Sequence, residues 1–150
     1  MTIRWLLAAL HLLALGIGLG AVWARSRALR QSLDAAGLSR VFTADAWWGI
    51  AALLWLSTGL IRLFSSLEKG TAYYFGNRFF LLKMALFITI ILLELTPMMT
   101  LGRWRKAARR GEVPDTARAP ALARTSVVQA VLIVAMVFAA TAMARGLGAS

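Results

Sequence analysis

Four long apolar runs, separated by shorter charged stretches, dominate the pattern of hydrophobic and polar positions along this 150-residue chain. The runs cover about residues 3–24, 46–64, 79–101 and 126–144. Roughly 20 mostly apolar residues suffice for a helix to cross a bilayer, and the two-residue alternation of a membrane barrel is missing. The pattern predicts an all-α integral membrane protein, a four-transmembrane-helix up-down bundle forming a single domain over residues 1–150.

Basic residues gather in the first and third connections between these runs. The first contains Arg25, Arg27, Arg30 and Arg40, and the third contains Arg103, Arg105, Lys106, Arg109, Arg110, Arg118 and Arg124. The second connection carries only Lys69 and Arg78, beside Arg62 at its edge. Because short cytoplasmic loops are rich in Lys and Arg, we expect a bacterial inner-membrane protein with both termini in the periplasm.

Aromatic residues mark the expected membrane boundaries, since Trp and Tyr favour the interface between lipid and water. The boundary residues are Trp23, Trp47, Trp48 and Trp104 on the inner side and Trp5, Tyr73 and Tyr74 on the outer side. Asp45 is expected to cap the second helix. Gly16 and Gly20 are spaced for close helix packing, either within the chain or in a homodimer.

Composition agrees with a membrane protein and excludes several kinds of chemistry. Hydrophobic residues make up 60% of the chain and the mean hydropathy is +0.72, against roughly 45–50% apolar residues in soluble domains. The chain has no cysteine, which excludes thiol catalysis and cysteine metal sites. The net charge is +11, but the basic residues lie between apolar runs, so the expected partner is the lipid bilayer and not nucleic acid.

A group of polar and aromatic residues is predicted to meet in the outer half of the bundle. Ionisable residues inside a span cost roughly 2.5–3.5 kcal/mol each at the bilayer centre and usually face the bundle interior. Helical spacing places one histidine, one tryptophan and one methionine at similar depth, with two basic residues nearer the outer boundary. The group consists of His11, Trp55, Arg62, Lys83 and Met136. It predicts a positively charged pocket that opens outward.

Each member of this group also has a simpler interpretation. His11 can hydrogen-bond a neighbouring helix, Arg62 and Lys83 can extend to the lipid headgroups, and Trp55 and Met136 can pack in the core. Outside the group, Tyr73 and Tyr74 form either a lid over the pocket or an ordinary hairpin. Glu94, near the inner end of its span, is expected to have a structural role. It can be protonated, bond to Thr96 or reach the inner arginines.

The chain resembles an uncharacterised bacterial family of four-helix inner-membrane proteins, a domain of unknown function. The resemblance lies in three stretches: RALRQSLDAAGLSRVFTADAWWGIAALLWLSTGLIRLF, LEKGTAYYFGNRFFLLKMALF and ELTPMMTLGRWR. It covers nearly the whole chain and implies no established activity.

A more distant resemblance joins the chain to the four-helix membrane protoporphyrinogen oxidases and the copper-resistance D-type proteins. The stretch ALHLLALGIGLGAVWARSR is similar to their first helix, with matches at His11, Gly20 and Arg25. The stretch RFFLLKMALF is similar to the third helix of the oxidases, with a match at Lys83. Those oxidases bind haem and use the matching His and Lys, so the resemblance implies a tetrapyrrole-sized pocket.

Three functions are compatible with these observations, and whether the chain is an enzyme stays open. The first is binding of haem or another tetrapyrrole or redox ligand, with His11 on the metal and Lys83 and Arg62 on the propionates. A second axial ligand would come from Met136 or Met143, or from a homodimer. The second function is a small transporter, and the third is a structural or accessory subunit of a membrane complex.

Overall fold

The computed structural model describes residues 2–64 and 76–147, which form four long α-helices. They are α1 (Thr2–Leu29), α2 (Ala35–Phe64), α3 (Arg78–Arg109) and α4 (Ala119–Ala144). All four are long and apolar enough to cross a membrane. The predicted all-α, four-transmembrane-helix fold is confirmed. Tyr73 and Tyr74 lie outside the described residues.

Three of the helices extend well beyond the apolar runs that predicted them. The turn between α1 and α2 is short, and Asp34 caps α2 by accepting a hydrogen bond from the backbone N–H of Gly37 at 2.7 Å. A side chain on Gly37 would clash, because its Cβ would lie 1.9 Å from the carbonyl oxygen of Ser32. The expectation that Asp45 caps the second helix is wrong, since Asp45 lies inside α2.

Neighbouring helices run in opposite directions, with α1 packed against both α2 and α4, and α3 packed against α4. The connections between α1 and α2 and between α3 and α4 share one end of the bundle, which we call the basic end. The opposite end is called the cavity end. One apolar cluster fills the middle of the bundle around Trp48, Ile90 and Ile133, and another fills the basic end around Val41 and Leu101.

Large apolar side chains cover much of the outer surface, as expected for helices that face lipid. Examples are Leu12, Leu53 and Phe138, which are 67%, 68% and 71% exposed. A surface of this kind is compatible with a bilayer and would aggregate in water.

Two of the expected boundary tryptophans have a different location. Trp48 and Trp104 are 5% and 4% exposed and belong to the core, whereas Trp5, Trp23 and Trp47 are exposed. The prediction is wrong for Trp48 and Trp104 because each lies on the inward face of its helix, and depth along the helix axis does not distinguish the two faces.

The glycine that permits close packing is also different from the predicted pair. Gly16 and Gly20 are exposed, and an added Cβ at either would meet nothing within 4 Å. At Gly18 an added Cβ would lie 3.1 Å from the indole ring of Trp48. The prediction that Gly16 and Gly20 pack against another helix of the same chain is therefore wrong. The close approach of α1 and α2 is at Gly18.

Candidate functional site

A cavity of about 300 Å³ lies between the helices at the cavity end of the bundle. All five residues predicted from the sequence line it: His11, Trp55, Arg62, Lys83 and Met136. Most of the remaining wall is apolar. The structure therefore brings the predicted group together, from all four helices.

The two basic residues lie near the ends of their helices, and the other three lie deeper. Arg62 is in the last turn of α2, and Lys83 follows the start of α3 by about one and a half turns. His11, Trp55 and Met136 are buried. The cavity thus has a basic mouth and a deeper floor made by an imidazole, an indole and a thioether.

His11 is held by hydrogen bonds to α2 through both ring nitrogens. The indole N–H of Trp55 donates to Nε2 of His11 at 2.9 Å. Nδ1 of His11 lies 2.9 Å from the hydroxyl of Thr58, which donates to the carbonyl oxygen of Leu54 at 2.7 Å. Because an indole N–H can only donate, Nε2 carries no proton, and the ring is the neutral tautomer with its proton on Nδ1.

Packing contacts extend this arrangement to α3. The rings of His11 and Trp55 have centroids 6.0 Å apart. The centroids of Trp55 and Phe87 are 5.3 Å apart, and the planes of these two rings are nearly perpendicular, at 87°. Gly59 leaves room for the imidazole, because a Cβ there would lie 3.3 Å from Cε1 of His11. The floor of the cavity is accordingly a packed, hydrogen-bonded unit.

The residues do not fit a haem ligated by His11 in this arrangement. Iron binds a ring nitrogen through its lone pair. In His11 only Nε2 has a free lone pair in the ring plane, and that lone pair accepts the hydrogen bond from Trp55. Among the described residues, no group of three or more His, Asp or Glu side chains is placed to hold a metal ion. Haem binding stays a prediction from the sequence.

A second polar site lies at the other side of the central apolar cluster, around the guanidinium of Arg25. This side chain is 0% exposed. It donates to Asp45 at 2.8 Å, to both carboxylate oxygens of Glu94 at 2.8 and 2.9 Å, to Ser126 at 3.0 Å and to Gln129 at 2.8 Å. One arginine from α1 thereby bonds to α2, α3 and α4.

The carboxylates around Arg25 have further partners. Asp45 accepts a second charged bond from Arg105 at 2.7 Å, and the amide of Gln129 donates to Glu94 at 2.8 Å. Two cations and two anions therefore balance. Removing charges from water is costly, and such a cluster is tolerated when its hydrogen bonds are satisfied. We call these residues, Arg25, Asp45, Glu94, Arg105, Ser126 and Gln129, the Arg25 network.

Most of this network is not predicted from the sequence pattern. Arg25 falls in the first connection of that pattern, although it follows His11 by about four helical turns and therefore lies on the same face of α1. The expectation that Glu94 reaches an inner arginine is confirmed. Thr58 is not predicted either, because hydroxyl groups are common in membrane helices and its spacing of three residues from Trp55 does not distinguish it from the others.

Apolar residues separate the cavity from the Arg25 network inside the bundle; Thr89 of α3, which lies at an intermediate depth, is exposed on the outer surface. Between His11 and Arg25, α1 has no polar side chain, and the same holds for α2 between Asp45 and Trp55. Trp48, Ile90 and Ile133 fill the space between the two sites. At about 1.5 Å per residue, His11 and Arg25 are about 21 Å apart along α1.

Fold and site together define the class: an integral membrane bundle of four helices, with a cavity near one membrane face and a buried ion network near the other. The chain belongs to the family described as "Predicted membrane protein (DUF2214)", whose model matches residues 3–148. The predicted membership of an uncharacterised four-helix membrane family is confirmed. No curated protein and no solved structure matches the chain, so the resemblance to the oxidases and copper-resistance proteins has no support from them.

Proposed function

We propose that this chain is a ligand-binding membrane protein whose cavity takes a small amphipathic molecule with an anionic group. The observation that carries the proposal is the arrangement of the cavity, which has Arg62 and Lys83 at its mouth and mostly apolar walls behind them. Its volume of about 300 Å³ is at the lower end of the range of small-molecule sites.

The chemistry of the lining supports an anion at the mouth. Guanidinium and ammonium groups each have several N–H donors, so each can bind a carboxylate or phosphate while it keeps other contacts. Leu15 and Val137 offer only apolar surface further in. A ligand with a short hydrocarbon body and a negative head matches both parts of the site.

A tetrapyrrole is the form of the proposal that the sequence predicts, and it requires the site to rearrange. Its carboxylates would suit Arg62 and Lys83, but His11 would have to exchange the hydrogen bond from Trp55 for the metal. A Soret band in the purified protein that disappears in His11→Ala would support this form. Protein that is colourless and also rejects added haem would eliminate it without affecting the broader proposal.

We also propose that the protein lies in a bacterial inner membrane with the cavity end toward the periplasm. Arg25 and Arg105 are engaged in the Arg25 network, yet the basic end still carries most of the remaining Lys and Arg of the chain. Because positive charge is retained in the cytoplasm, the termini and the mouth of the cavity would face outward.

The test compares three probes of equal chain length: octanoate, octanol and octylamine. Binding is measured by isothermal titration of protein in nanodiscs, with empty nanodiscs as the blank. We expect octanoate to bind best, and Lys83→Gln to weaken it by about tenfold or more, since hydrogen bonds to charged groups contribute about 1.5–3 kcal/mol.

The matched control is Arg78→Gln, which removes one positive charge from the same end of α3 at an exposed position that does not line the cavity. It should leave octanoate binding unchanged. Equal binding of octanol and octanoate, or an equal effect of the two substitutions, would reject the proposal and favour a purely structural subunit.

A further inference from the structure

A second concavity, of about 620 Å³, lies between α1 and α2 at the basic end of the bundle. Its walls are made by small residues, among them Gly20, Ala24 and Ala28 on α1 and Ala44 on α2. Gly20 and Ala24 are exposed, so the concavity is a groove on the outer, lipid-facing surface. We call it the α1–α2 groove.

Two arginines stand at the polar end of this groove. Arg27 lies in the last turn of α1, Arg40 lies near the start of α2, and both line the groove and are exposed. Within the described ranges, no carboxylate pairs with either guanidinium. The contrast with Arg25 is sharp, because Arg25, two residues before Arg27, is fully occupied by the Arg25 network.

The groove changes from apolar to polar along its length. It begins at Ile17, continues past Gly20 and Ala24, and ends among Arg27 and Arg40. Ile17 and Arg27 are about 15 Å apart along the helix axis. Trp47, which also lines the groove, is 51% exposed, and exposed indoles favour the interface between lipid and water.

We propose that the α1–α2 groove binds one anionic phospholipid of the surrounding leaflet. The phosphate lies between Arg27 and Arg40, and one acyl chain lies along the small-residue wall. Charge complementarity selects this occupant. Basic pockets between transmembrane helices are suited to anionic headgroups, whereas the cationic group of a zwitterionic lipid would add a third positive charge beside the two guanidinium groups. This site is separate from the cavity and does not depend on the function proposed for it.

Charge also argues against a second copy of the chain as the occupant. A symmetric dimer places the same patch of both subunits face to face. Arg27 and Arg40 would then meet their own copies, and like charges in a low-dielectric interface repel strongly.

The experiment is native mass spectrometry of the full chain with phosphatidylglycerol or phosphatidylcholine of identical acyl chains. We expect one tightly retained phosphatidylglycerol per chain and little retained phosphatidylcholine. In the variant Arg27→Gln/Arg40→Gln, retention of phosphatidylglycerol should fall by at least about tenfold, since each basic residue near an anionic surface contributes roughly 1 kcal/mol.

Two further variants separate the groove from general surface charge. Arg109→Gln/Arg110→Gln removes two exposed charges from the same end of the bundle, outside the groove, and should retain the lipid. Gly20→Leu fills the groove with a larger side chain. Because an added Cβ at Gly20 meets no atom within 4 Å, the variant should still fold, but it should lose the lipid although both arginines remain.

The proposal is overturned if the two lipids are retained equally, or if the two arginine pairs have equal effects. A dimer that Gly20→Leu abolishes would show that another copy occupies the groove, and would overturn it as well.

Discussion

His11 is the only histidine of the chain, and each of its ring nitrogens has a hydrogen-bonding partner on α2. Trp55 determines which nitrogen lacks a proton, and Thr58 determines which one carries it. Because a proton on Nε2 would set two donors against each other, the bond to Trp55 favours the tautomer with its proton on Nδ1.

The first prediction concerns this tautomer. In protein labelled with ¹⁵N at histidine, one imidazole spin system should report a protonated Nδ1 and an unprotonated Nε2. Trp55→Phe removes the donor to Nε2 and should allow the other tautomer or the protonated ring to form, whereas Trp23→Phe, on the lipid-facing surface, should leave the spectrum unchanged. A proton on Nε2 in the unmodified chain would contradict the geometry.

The second prediction concerns the charge of Arg25. Arg25→Met leaves Asp45 and Glu94 near an uncharged side chain, and breaking a buried ion pair in this way costs about 3–5 kcal/mol. Glu94→Gln keeps a hydrogen-bonding group of the same shape and should lower the free energy of unfolding by less than Arg25→Met does. Stability would be measured by reversible unfolding in mixed micelles.

Arg27→Met is the control for Arg25→Met. It removes the same charge two residues later, at an exposed position without a carboxylate partner in the described chain, and should change stability by less than about 0.5 kcal/mol. Similar losses in the two variants would mean that the Arg25 network does not stabilise the bundle.

At the scale of the element, α1 is the helix on which the two sites depend. It carries His11 and Arg25 on one face, about four turns apart, and Gly18 between them faces Trp48. Helical spacing alone was enough to predict the cavity, because each of its residues is conspicuous within an apolar run. It was not enough for Arg25 and Asp45, since a hydropathy pattern assigns charged residues near the end of a run to a loop.

The third prediction tests the packing of α1 against α2. Gly18→Ala places a methyl group 3.1 Å from the Trp48 ring and should destabilise the bundle by about 1–3 kcal/mol, as overpacked cores do. Gly16→Ala adds the same methyl group to open space and should be neutral. If Gly16→Ala costs as much as Gly18→Ala, in the same unfolding measurement, an interface at Gly16 has to be considered.

At the scale of the whole molecule, polar groups are segregated along the axis of the bundle. The sequence was sufficient for the number of helices, their order and the basic character of one end. It could not supply the helix ends, because these depend on how buried polar groups such as Asp45 are satisfied by other helices. Nor could it supply Thr58, since hydroxyls are common in membrane helices and only tertiary contact shows which one is used.

The fourth prediction concerns orientation. The chain has no cysteine, so a single introduced cysteine is the only thiol of the protein that a maleimide can label. Val113→Cys, at a position that is 95% exposed at the basic end, should react with a membrane-impermeant maleimide only after the cells are lysed. Arg145→Cys, at the cavity end, should react in spheroplasts. The reverse labelling would place the cavity on the cytoplasmic side.

The apolar layer formed around Trp48, Ile90 and Ile133 also bears on the electrical behaviour of the protein. A proton or ion passing through the bundle would have to cross this layer without a polar side chain to solvate it, and that barrier is high in a low-dielectric medium. We therefore expect the protein to be an insulator: liposomes containing it should hold an imposed voltage as long as empty liposomes do. Whatever enters the cavity would also have to leave through the same mouth or sideways into the lipid.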